Sequence, residues 1–174
     1  ENRWRSFHFW HRQRLGAFPQ HLHDYVEILY ICTGESTCTV DMTLYDLRAG
    51  DVLFVFPNRI HAYGKPMCDV ENYALLFPNS IPVFDETFAH FVPECPVLRG
   101  AVDADTARLF AAAEAERARE DSAYLKGAFL GYISIILSRL LPKLRLRPCV
   151  PEENQLERRL IEYCSLHYTE RISL

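Results

Sequence analysis

The chain has 174 residues, 49% hydrophobic and 13% aromatic, which is enough for one well-filled core and excludes wholesale disorder. A formal net charge of −4 argues against a nucleic-acid-binding surface spread over the whole chain. No apolar run approaches the roughly 20 residues that a membrane helix needs.

In chain order, β-branched and aromatic runs predict strands over Phe7–Arg12, Tyr25–Thr33, Ser36–Asp41, Thr43–Leu47, Asp51–Phe56 and Val70–Phe77. Short strands at this spacing suit an antiparallel barrel or sandwich, not βαβ units. The runs Val26–Ile31 and Val52–Phe56 are apolar on both faces. One face can fill an interior while the other packs against a second layer. From Asp103 the pattern turns helical. Asp103 or Asp105 caps a helix running to Glu120, and a second helix spans Ala123 to Leu141, stopped by Pro142. Leu125, Phe129, Tyr132, Ile136 and Leu140 form one stripe, which Ile133, Leu137 and Leu141 widen. Its width predicts one side on the chain's own sheets and another against a partner. A basic, Pro-punctuated stretch with Lys143, Arg145 and Arg147 reads as a linker, followed by a third helix over Leu156–Tyr168. Glu1 is no initiator residue and the last residues break off inside a further element, so the chain reads as a piece of a longer protein.

The six cysteines, Cys32, Cys38, Cys68, Cys95, Cys149 and Cys164, include no C-x-x-C pair. With no secretory signal in view they read as free thiols in a reducing compartment, the cytoplasm. A two-residue hairpin across Gly34-Glu35 would set the Cys32 and Cys38 sulfurs on opposite faces. A three-residue loop would bring them together.

The densest chemistry is the run His21-Leu22-His23-Asp24-Tyr25-Val26-Glu27. Side chains two apart on a strand share a face, so His21, His23 and Glu27 can converge on one side of a sheet. Downstream, Gly50-Asp51 opens an apolar strand that ends at Pro57, and His61 follows. Four such donors make either a metal site or a polar pocket of hydrogen-bonded histidines. Imidazole and carboxylate suit Zn, Fe, Ni or Mn.

The spacings Gly16-x4-His21-x-His23-x3-Glu27-x6-Gly34 and Gly50-x6-Pro57-x3-His61 resemble the two signature motifs of the cupin superfamily. The resemblance implies a small double-stranded β-barrel (a jelly roll). It also implies a divalent ion held by His21, His23, Glu27 and His61, as in metal-binding cupins. Two departures stand out. Arg59 occupies the usual glycine position, and His61 comes one residue earlier than in the metal enzymes, which leaves its direction open.

The longer wording from Gly50 to Gly64, the run His23–Ile28 with Gly34, the two helices, and Leu160–Leu174 resemble the AraC family of bacterial transcription regulators. That resemblance implies a fold that is mainly β with C-terminal helices, a cupin-like barrel followed by a two-helix dimerisation unit. Residues 1–100 would form the ligand-binding barrel with an N-terminal arm, and 101–145 the dimerisation unit. Residues 146–174 would supply a linker and the first helix of a truncated helix-turn-helix domain. Tyr63 and Asn72 fall at pocket positions of the family, and Trp10 and Phe18 lie where the arm closes over a ligand. With His21, His23, Glu27 and His61 they would hold a small-molecule effector, with sugars among the classes implied. A homodimer would form through Leu125, Phe129, Tyr132, Ile133, Ile136, Leu137 and Leu140, and DNA would be met only through the missing C-terminal domain. This reading requires no cofactor and no enzymatic activity. Its alternative is a metal-dependent cupin enzyme, an isomerase or dioxygenase.

Overall fold

Alternate positions of the strands feed two different apolar layers in the computed structural model, which describes residues 7–117, 125–150 and Tyr163. The elements are β1 (His8–Arg12), β2 (Phe18–His21), β3 (Tyr25–Ile31), β4 (Glu35–Val40), β5 (Thr43–Arg48), β6 (Val52–Val55), β7 (His61–Tyr63), β8 (Asn72–Pro78), α1 (Asp85–His90), β9 (Phe91–Pro93), β10 (Val97–Leu98), α2 (Ala104–Arg117), α3 (Leu125–Leu140) and β11 (Leu146–Pro148). A five-stranded sheet runs β1-β8-β3-β6-β10 and a four-stranded sheet runs β2-β7-β4-β5. A small third sheet pairs β11 with β9. Every pairing is antiparallel. Among the described residues no ladder joins the two large sheets, so the expected barrel is seen as two facing sheets.

Leu29, Ile31, Leu53, Val55 and Ala74 from the first sheet meet Cys38, Val40, Leu47 and Tyr63 from the second. The opposite positions, Val26, Ile28, Tyr30, Val52, Phe54, Tyr73 and Leu75, pack beneath the helices. Both-sided apolar strands are the expected signature of a sheet covered on both faces.

The helices are that second cover. Asp103 caps α2, its carboxylate accepting from the Thr106 backbone N–H at 2.7 Å. Phe110 and Ala113 of α2 are buried, as are Phe129, Ile133, Ile136, Leu137 and Leu140 of α3. Tyr132 is half-buried against the same layer. These α3 residues were expected at a dimer interface and instead fill the chain's own core, because the five-stranded sheet offers a continuous apolar face to cover. The predicted linker is instead structured as far as it is described: Leu146–Pro148 form β11 against β9, because this stretch finds backbone partners in Phe91–Pro93, and Lys143 Nζ donates to the Ala101 carbonyl at 2.8 Å. The Leu125 side chain, residues 151–154 of the linker, and the third predicted helix and helix-turn-helix segment apart from Tyr163 lie outside the described residues.

The Gly34 turn corrects the hairpin expectation. β3 and β4 belong to different sheets, so the chain crosses the interior end instead of folding back. Gly34 has φ +82°, and a Cβ there would lie 2.5 Å from the Asp69 carbonyl oxygen. Cys32 therefore packs with the helix-side layer and Cys38 between the sheets. Both are free thiols, and burial pushes each up to about 12.

Asp51 staples the β5–β6 turn to residues 99–100. Its carboxylate accepts from the backbone N–H groups of Arg48 and Gly100, both at 3.0 Å, and from Arg99 Nη1 at 2.6 Å. Asp51 is itself buried, and Asp51→Ala removes these charge-assisted bonds, which should lower stability by about 1.5–3 kcal/mol in urea titration. An unchanged midpoint would contradict that role.

Candidate functional site

Glu27 lies on the inward face of β3, in register with Leu76 on one side and Val55 on the other. Its carboxylate is the centre of the site. Oε2 lies 3.2 Å from His23 Nε2 and 3.3 Å from His61 Nε2, and Oε1 accepts from the Tyr63 hydroxyl at 2.7 Å. His21 completes the ring, its imidazole centroid 4.0 Å from that of His61. One ligating atom from each of His21, His23, Glu27 and His61 lies within 4.8 Å of all the others.

The expected convergence is present, but by a different route. His21, His23 and Glu27 do not share one strand. His21 ends β2 in the four-stranded sheet, His23 sits in the connector, and Glu27 is on β3 in the other sheet. The β2–β7 ladder pairs His21 with His61, and the β4–β7 ladder pairs His61 with Val40. The early position of His61 is absorbed in the preceding turn. Asn58 adopts φ +61°, and its backbone N–H donates to the His23 carbonyl at 2.8 Å. That bond sets the His61 strand beside His23. Arg59, in place of the glycine, is buried and pairs with Asp41 at 3.1 Å.

Each imidazole is oriented by a backbone carbonyl. His21 Nδ1 faces Pro19 O at 2.9 Å, His61 Nδ1 faces Arg59 O at 2.9 Å, and His23 Nδ1 faces Tyr25 O at 3.2 Å. A carbonyl only accepts, so each Nδ1 carries the hydrogen and each Nε2 is left for the site. If neutral, His23 and His61 would then aim lone pairs at a carboxylate. A positive charge or a hydrogen-bond donor has to separate them, whether a proton, a metal ion or a ligand group. Burial alone would raise the Glu27 carboxyl. The bonds from His23, His61 and Tyr63 overcome it and hold the group at about 2, so it is ionised at neutral pH. Burial, with Glu27 beside it, pushes the Tyr63 hydroxyl well above its ordinary range. Burial holds the His21 imidazole below its own.

The remaining expected ligand residues are placed differently. Phe18 is half-exposed and packs edge-on against His21 at 4.5 Å, at the rim. Trp10 lies on β1, separated from β3 by β8, stacked on His8 with the Arg12 guanidinium 4.8 Å from its ring. Asn72 pairs with Ile31, four positions along β3 from Glu27, or about 13 Å. Its amide donates to Val70 O, and its Oδ1 has no partner. Neither Trp10 nor Asn72 reaches the cluster. Both edge strands begin where an arm was expected, so Trp10 and Phe18 are built into the sheets.

Two facing antiparallel sheets thus hold a largely buried carboxylate ringed by imidazoles, a set of groups able to hold a small molecule or a metal ion. The family model of the AraC-like ligand binding domain matches residues 8–130, and the chain belongs to that family. None of the curated proteins matches it. Matching solved structures include the oxalate decarboxylase of Bacillus subtilis with its Mn(II) centres, at 16% identity and TM-score 0.36, over 41% of this chain and 20% of that one. A cupin protein from Bacteroides fragilis matches at 21% identity and TM-score 0.36, over 42% and 65%. KdgF from Halomonas sp. matches at 19% and 0.35, over 39% and 63%. The chain therefore spans a fifth to about two thirds of these relatives' own lengths. No described helix is long and apolar enough to cross a membrane.

Proposed function

We propose that this chain is the effector-sensing and dimerisation part of a cytoplasmic AraC-type transcription regulator, not an enzyme. A small molecule binds between the sheets against His21, His23, Glu27, His61 and Tyr63, with Phe18 at the rim. The observation that carries this reading is the Glu27 carboxylate facing two imidazole Nε2 atoms. Such a centre favours a ligand rich in hydrogen-bond donors, such as the hydroxyls of a polyol or sugar. Binding biases the dimer only through different affinity for its two arrangements. DNA is met through a C-terminal domain outside this chain.

The dimer face moves to the outward side of α3. Gly127, Gly131, Ile135 and Ser138 are exposed there, Ile135 by 46%. A Cβ at either glycine would meet nothing within 4 Å. Each glycine costs a helix about 1 kcal/mol relative to alanine. A second copy of the helix approaching closely would offset that cost.

The second reading, a metal-dependent cupin enzyme, is favoured by one observation. Three Nε2 atoms with their Nδ1–H groups tied to carbonyls, plus a carboxylate, fit a divalent ion such as Zn, Ni, Fe or Mn. His21, His23, Glu27 and His61 would hold it, and it would supply Lewis-acid chemistry. Elemental analysis of protein purified without an affinity tag separates the two. We expect far less than one ion per chain. One ion per chain, lost in His23→Ala, would favour the enzyme.

A further inference from the structure

We infer that His11 is a proton-dependent clamp between the five-stranded sheet and α2, a control separate from the sensing site. Its Nε2 lies 2.8 Å from Glu71 Oε1, and its Nδ1 lies 2.9 Å from Glu114 Oε2 and 3.2 Å from Glu114 Oε1. Carboxylates only accept, so both ring nitrogens must donate and the clamped ring is an imidazolium. The three side chains come from β1, from the residue preceding β8, and from α2.

The ring is also held by its neighbours. The Tyr73 ring from β8 lies flat on the His11 ring, centroids 4.3 Å apart and planes 12° apart. Tyr73 also bonds Glu114, and burial together with that carboxylate pushes its hydroxyl up to about 12. Behind it stand Tyr30 of β3 and the Cys32 thiol, both kept neutral by burial. Gln13 Nε2 reaches Glu71 at 3.4 Å. Arg12 is directed elsewhere, over Trp10. Among these groups, His11 is the cation that lies between the two carboxylates.

Side-chain exposures of 22%, 31% and 40% for His11, Glu71 and Glu114 leave a path for the proton to reach water. When the ring loses a proton, one nitrogen turns a lone pair toward a carboxylate. Attraction becomes repulsion on that side. Phe110 and Ala113 stay buried, so the first part of α2 keeps its seat. The turn carrying Glu114 is the part that loosens, just before the chain leads on to α3. The clamp thus gives the helical cover a response to pH that does not pass through Glu27.

Amide hydrogen exchange of the Glu114 turn, corrected for the intrinsic rate, tests this at about pH 5.5 and about pH 8.5. Wild-type protection should fall about tenfold or more between the two, the scale of one charged hydrogen bond. In Glu114→Gln the new amide can donate to a neutral ring nitrogen, so protection should persist at the higher pH. His11→Gln should remove the pH response. Unchanged wild-type protection, or the same fall in Glu114→Gln as in the wild type, would overturn the clamp.

Discussion

Ile136→Asp and Leu140→Asp should unfold the chain, not split a dimer. Both residues are fully buried, at 0% exposure, in the layer shared by α3 and the five-stranded sheet. An aspartate at either place loses the apolar contacts and buries a carboxylate among apolar side chains. The expected cost is about 4 kcal/mol or more, a large share of a typical domain's stability of about 5–15 kcal/mol. Ile135→Asp, one residue away on the outward face, should leave thermal stability nearly unchanged and shift sedimentation from dimer to monomer. A folded monomer from Ile136→Asp would mean that the inward stripe is the interface after all. A persistent dimer in Ile135→Asp would remove the outward face.

Acid should weaken the site through Glu27. The folded carboxyl is held at about 2 against an ordinary value of 4.5. A group depressed by folding stabilises the protein above its unfolded value and loses that contribution as pH falls toward the folded one. Glu27 should therefore add about 3 kcal/mol above pH 4.5, disappearing by about pH 2. The measurement is urea stability of wild type and Glu27→Gln across this range. The gap should close as acid is added. A gap that stays constant, or widens in acid, would show that the His23, His61 and Tyr63 bonds do not hold the charge.

The strands with long alternating or two-sided apolar runs were legible from sequence. The predictions for Tyr25–Thr33 and Val70–Phe77 fall within two residues of β3 and β8 at each end. β2 and β7 were not predicted, because four and three residues carry too little periodicity to stand out. Their pairing is nevertheless what brings His21 to His61. The four donors were readable as residue types and spacings, while the turn at Asn58 that redirects His61 was not. The α3 stripe was visible, but a stripe does not say which partner covers it. The sheet supplied the answer through Phe129, Ile133 and Leu137. The His11 clamp left no trace in the sequence, since its partners stand 60 and 103 positions away.

On the function proposed above, the Glu27 cluster holds an organic effector. Native mass spectrometry of the wild type and Glu27→Gln, each incubated with a bacterial metabolite extract, tests it most directly. The wild type should retain a small organic mass that the variant does not. A bare metal ion in its place, or identical bound masses on the two proteins, would rule out an organic effector held by Glu27.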